Sequence, residues 1–464
     1  MTATVGPSVA SDPTRRRAEV PTTLAEPAPR PLGTFDQIGL WGNLGVSLLG
    51  PVAAVFVLQP AGFPTMPFVG AFVAIVVGTV LGTLLLSASA VPGAQTGAPA
   101  MVLLRGLLGA RVSYLPTLLN VAQCIGWGTF ELVIIAESAQ RLAPGIPRWA
   151  YVVLAGALTT LMALRPLGVI RVLRRYAVAA VAVVTVYLYV QLLRHAMPAL
   201  TTGSWAGFWA AADVAIAVAV SWVPLASDYS RHSRTPRAAF LGSFLGYAPT
   251  QVAYYTLGLV AYAAVVRSDG DVLGAFVAVP LGSVAFAVLV LRELDESFAN
   301  VYSTVVSTQN LRPLADRRVL ALVVGALTTA LALALNIRDY QSFLYLLGSV
   351  FVPMFAVFAV DYYLLRRRHA WNVSAQAPAR SSMLLPWLAG FVAYQLVNPG
   401  SVSWWVRAWT SVRDAIGFTP ATWMSASVVS FMVAAAGTGL LALVLRRSVG
   451  GSPGDAAEMN RQQR

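Results

Sequence analysis

The chain has 464 residues, 57% of them hydrophobic and only 11% charged, with a mean hydropathy of +0.68 and a formal net charge of +13. Soluble domains carry roughly 25% charged residues, so this charge density excludes an ordinary water-soluble enzyme or binding domain. The single cysteine, Cys124, excludes an intramolecular disulfide and a cysteine-rich metal site.

Residues 1–34 hold Pro7, Pro13, Pro21, Pro27, Pro29 and Pro31 with Arg15, Arg16 and Arg17, and no apolar run. Such a segment lacks the apolar region of a signal peptide and reads as a disordered cytoplasmic tail. Beyond it, windows of about 20 mostly apolar residues recur, each able to cross a hydrocarbon core ~30 Å thick. Twelve are predicted, over about 39–58, 67–90, 114–138, 149–164, 175–194, 207–227, 239–266, 274–308, 319–336, 340–365, 383–397 and 423–445. GGSPGDAAEMNRQQR, residues 450–464, closes the chain as a second tail. The pattern is that of an all-α polytopic membrane protein with both termini cytoplasmic, in the cell membrane.

The basic residues fit that topology. Sixteen arginines fall in loops expected inside, from Arg105, Arg111 and Arg165 to Arg366, Arg367, Arg368 and Arg380, against seven expected outside. This is the positive-inside pattern, so the net charge sets topology and implies no nucleic-acid partner. His195, His232 and His369 fall at predicted helix ends or loops, which leaves neither a zinc site nor a catalytic constellation.

Two spans are interrupted. The first reads WGNLGVSLLGPV (41–52), with Gly42, Gly45, Gly50 and Pro51; the sixth reads AVAVSWVPLASDYSR (217–231), with Pro224 inside the run. Each alone could be a packing pattern or a proline kink. Breaks at corresponding places in two five-helix halves are what an inverted repeat produces, and freed backbone groups there can hold substrate or ions. Asn43 and Ser47 lie at the first break.

The third span reads NVAQCIGWGTFELVIIAES (120–138). Asn120, Gln123, Trp127 and Glu131 are spaced to line one helical face. A polar contact between helices would explain them. So would a site for a flat heterocycle, with Trp127 as its platform and Glu131 accepting N–H donors. Trp127 sits near mid-span rather than in the interfacial belt, and Glu131 would be costly there without a partner.

The eighth span carries VLVLRELDESFANVYS (288–303). Glu293, Glu296, Asn300, Ser303 and Ser307 form one polar stripe, and Arg292 can reach Asp295 at i+3 and Glu296 at i+4. A solvated rim would tolerate these charges. Near the centre of a long span they read instead as buried, with Asp295 and Glu296 as a cation or proton site.

Several of these stretches, with others, resemble the nucleobase:cation symporter-1 family of cytosine permeases, purine permeases and hydantoin transporters. GAQTGAPAMVLLRGLLGARVSYLP (93–116), IGWGTFE (125–131), SDYSRH (227–232), NVYSTVVSTQN (300–310) and VPMFAVFAVDYYLLRRR (352–368) carry the resemblance, which covers about residues 35–450. It implies a LeuT-type fold: two inverted five-helix repeats over 35–195 and 196–368, two further helices over 369–447, a tail over 448–464, and alternating access. In hydantoin-transporter relatives a third-span Trp stacks on the substrate and an amide one turn later bonds it; Trp127 matches the first and Glu131 replaces the second. The eighth-span Asn that binds substrate matches Asn300. A hydroxyl pair of the sodium site falls on Leu294 and Asp295, and Leu294 cannot ligate a cation. The sixth-span aromatic falls on Ala219, with Trp222 one turn nearer and able to take its role.

Together these readings predict a symporter importing a purine or pyrimidine base such as cytosine, with H+ or Na+ as coupling ion and no cofactor. A thiamine-precursor pyrimidine, allantoin or a hydantoin is the competing substrate, and a channel the competing class. The expected substrate-binding residues are Trp127, Glu131, Gln123, Trp222, Asn300, Asn43 and Ser47.

Overall fold

The computed structural model describes residues 28–164, 166–197, 199–265, 271–335, 337, 340–365 and 371–449. The two tails over 1–27 and 450–464 lie outside these, as do Arg165, Arg267, Arg338, Arg366, Arg367 and Arg368. Among the described residues the architecture is helical, with one isolated β-bridge between Leu32 and Ser233.

The first span is broken as its glycines predict. Helix α1 (Thr34–Leu44) and helix α2 (Leu49–Leu58) meet at 65° across residues 45–48. After α3 (Phe68–Thr96), a short helix α4 (Ala100–Leu108) forms in the 93–116 stretch; then come α5 (Tyr114–Leu142), α6 (Arg148–Leu164) and α7 (Pro166–Leu192). The sixth span is also interrupted. Helix α8 (Phe208–Ser221) passes through a 3-10 turn over Val223–Leu225 into α9 (Ala226–Ser230). Pro224 supplies no N–H to that turn, and Leu225 donates to the Trp222 carbonyl rather than to Ser221.

Helix α10 (Pro236–Ala264) holds both arms of the first span. A Cβ at Gly246 would lie 2.6 Å from the Ile38 carbonyl oxygen of α1, and one at Gly258 2.3 Å from Pro51 Cα of α2. Small residues permit this backbone approach of both arms to α10.

The predicted eighth span, 274–308, is two helices. Helix α11 (Val272–Ala278) ends before Pro280, Leu281 adopts φ +51°, and α12 (Gly282–Leu311) then runs 30 residues. Helices α13 (Arg317–Ala334), α14 (Tyr340–Ala359), α15 (Leu384–Val397), α16 (Ser403–Ile416) and α17 (Ala426–Val449) complete the chain. Helix α16 falls where no element was expected and has no buried residue. By length and composition six helices among the described residues can cross a membrane, and the bent α1–α2 pair makes a seventh.

Helix α12 packs along α5, and its charged face turns inward. Arg292, Glu293, Asp295 and Glu296 are at most 5% exposed, while Leu291 beside them is 68% exposed. The solvated-rim reading is therefore wrong for these side chains: they are enclosed by protein.

Candidate functional site between the broken spans

A narrow cavity lies where α1, α2, α5, α8, α10, α12 and α14 converge. Of the sequence-predicted residues, Ser47, Trp127, Trp222, Glu296 and Asn300 line it. Trp127 from α5 packs edge-on against Tyr340 (centroids 5.8 Å apart) and Phe343 (5.4 Å). Trp222, at the C-terminal end of α8, packs edge-on against Trp41 (6.0 Å) and Tyr247 (6.3 Å). Two tryptophans anchored by edge-to-face neighbours thus border one space, an arrangement favoured by the ring quadrupole. Ala219, the alternative position, is fully buried and does not line the cavity.

The freed backbone of the sixth span is read by α5. The Gln123 amide donates to the Ser221 carbonyl (3.0 Å) and to Asn120 Oδ1 (2.8 Å), and Asn120 donates to Ser307 Oγ (2.8 Å). Gln123 therefore braces the break rather than lining the cavity.

Sequence reasoning missed a second wall. Tyr247, Gln251, Tyr254 and Tyr255 of α10, and Tyr340 of α14, also line the space. Both donor bonds of the Gln251 amide are used, to Thr79 Oγ1 (3.0 Å) and the Ala215 carbonyl (2.9 Å), and its Oε1 has no partner. Trp127 Nε1 and the Tyr255 hydroxyl are likewise without partners. Buried polar groups are ordinarily paired, so unpartnered donors and acceptors on residues that line one cavity are candidates for a ligand's polar edge. The spacing of the α10 residues was the available signal.

The charged cluster adjoins this cavity. Carboxylate oxygens of Glu131, Glu293 and Glu296 lie within 4.8 Å of one another. Arg292 donates to Glu296 Oε2 (3.0 Å) and stands 3.6 Å from Glu293 Oε2. The Glu131 oxygens meet no donor group. The i+3 contact expected from Arg292 to Asp295 does not form; Asp295 Oδ2 accepts from Asn43 Nδ2 at 3.4 Å. Asn43 thus supports the break and does not line the cavity, whereas Ser47 lines it and donates to Glu293 Oε1 (2.9 Å). One guanidinium faces four carboxylates in protein interior, so protons or bound cations must balance the excess.

The cytosine permease of Escherichia coli (strain K12) is 24% identical over 350 residues, covering 72% of this chain and 82% of the relative. Among solved structures, the nucleobase-cation-symport-1 family transporter Mhp1, closed with bromovinylhydantoin bound, superposes with a TM-score of 0.70 at 16% identity. That match covers 92% of this chain and 95% of Mhp1. A Na+-coupled sialic acid symporter in a substrate-bound outward-open state gives 0.52 at 12% identity, covering 89% and 96%. These matches place the chain in the LeuT-type fold, with its first and sixth spans broken. Residues 39–382 match the permeases for cytosine/purines, uracil, thiamine and allantoin, and the chain belongs to that family of membrane transporters.

Proposed function

We propose that the protein is a secondary-active symporter that imports a planar nitrogen heterocycle, a purine or pyrimidine base such as cytosine, together with a proton. The carrying observation is the cavity bordered by Trp127 and Trp222, whose lining residues Trp127 and Gln251 also carry an unpartnered N–H and carbonyl oxygen. Two indoles suit a flat ring, and base–aromatic stacking contributes about 1–3 kcal/mol per base. The open donor and acceptor suit the amide and amidine edges of such a ring. The excess of buried carboxylates supports proton carriage, since a carboxyl group can hold and release one with modest rearrangement. Twelve spans, two inverted repeats with the boundaries given above, and cytoplasmic termini complete this reading, with alternating access by rocking of one bundle against the other. The family membership and the relative named a cytosine permease support it.

A thermal-shift screen of the detergent-solubilised protein against bases and ureides tests the substrate. Stabilisation by cytosine or a purine is expected. Stabilisation by allantoin or a hydantoin alone would move the assignment to ureides, and no response to any flat heterocycle would refute it.

A further inference from the structure

The break in the first span leaves two helix ends inside the protein. The last carbonyls of α1 form a negative end and the first N–H groups of α2 a positive one. In transporters with broken helices, such C-terminal carbonyls coordinate cations and such N-termini hold anionic groups of the substrate. Here side chains of two adjacent residues of α12 occupy both. Arg292 Nη2 donates to the Asn43 carbonyl in the last turn of α1. Both Glu293 oxygens accept the Leu48 N–H (3.1 Å each) at the start of α2, and Oε1 also accepts the Ser47 hydroxyl (2.9 Å). The two charges stand 3.6 Å apart, and the residues are 3% and 0% exposed.

We propose that Arg292 and Glu293 are a resident ion pair that fills the cation-binding and anion-binding ends of the broken first span, so that no sodium ion binds there. A sodium ion at the Asn43 carbonyl would stand beside a fixed guanidinium and would have to displace it. The pair does for both helix ends what a bound cation and an anionic cargo group would otherwise do. This inference rests on the symporter reading only in leaving the proton as coupling ion.

Binding of radiolabelled sodium to the full-length protein in detergent, measured by scintillation proximity, tests it without any heterocycle. Wild type should show no counts displaceable by unlabelled sodium; saturable, displaceable binding would overturn the proposal and leave the substrate reading standing. The double variant Arg292→Gln/Glu293→Gln removes both charges and withdraws the guanidinium from the Asn43 carbonyl. It should acquire saturable sodium binding, and a folded variant that still ignores sodium would overturn the claim that the guanidinium fills the site. If the variant does not fold, the wild-type measurement decides alone.

Discussion

Trp127→Ala separates the two roles its geometry allows. The side chain is 6% exposed and contacts Tyr340 and Phe343, so removal leaves a cavity and costs stability. Truncating a buried aromatic costs about 3–5 kcal/mol. If the indole is also a stacking platform, the base loses about 1–3 kcal/mol of binding. At 1.4 kcal/mol per tenfold, that is roughly a 5- to 140-fold weaker affinity. Trp127→Phe keeps a ring but deletes the unpartnered N–H. Loss of one hydrogen bond, about 0.5–1.5 kcal/mol, predicts roughly a 2- to 12-fold effect. Equilibrium binding of radiolabelled cytosine in detergent, with melting curves on the same samples, reads both quantities. A folded Ala variant that binds as tightly as wild type would refute the stacking role. A Phe variant as weak as Ala would assign the affinity to the N–H instead.

Glu131 belongs to the carboxylate cluster beside the cavity and is not among its lining residues, so the direct contact expected from the sequence is not formed. Glu131→Gln should lower uptake of all bases alike, and a changed ranking of bases in competition assays would show that it reads the ring edge. Glu296→Gln, which alters a group lining the cavity and paired with Arg292 at 3.0 Å, should preserve exchange of labelled base but abolish accumulation and flatten the pH profile of uptake. Asp295→Asn should perturb coupling less, because its partner is Asn43 at 3.4 Å and it does not line the cavity; equal uncoupling by both variants would contradict this division. Gly258→Ala would place a Cβ 2.3 Å from Pro51 Cα, and such overpacking typically costs about 1–3 kcal/mol. Its melting temperature should fall clearly below wild type, and an unchanged one would show that the α2–α10 contact can relax.

Both helix breaks were legible in the sequence because their cause is local: glycines over 42–50 in one span and Pro224 in the other. The burial of the charges on α12 was legible too, since four charged residues lie within a long apolar run. Their partners were not. Helical spacing offered Arg292 a contact with Asp295, but Asn43 and Glu293's contact with Leu48 are brought in from some 250 residues away by the packing of α1 and α2 on α12. The α10 wall stayed hidden for a similar reason. Tyr247, Gln251, Tyr254 and Tyr255 look like one face of an ordinary span, and only packing shows that the face meets a cavity. The split before α12 lies within a largely apolar run over residues 274–291; its signal was Pro280 and Gly282, which flank the left-handed Leu281. Helix α16, SWWVRAWTSVRDAI, is too polar to read as a span, and the sequence places it in a loop.

Uphill transport of a base on a proton gradient is what the proposed function requires of this cavity. Purified protein in sodium-free proteoliposomes, given radiolabelled cytosine or adenine and an inwardly directed pH gradient, tests it most directly. Accumulation above equilibrium that collapses with a protonophore and is lost in Glu296→Gln is the predicted result. Uptake that only equilibrates, or that accumulates only when a sodium gradient replaces the proton gradient, would contradict it.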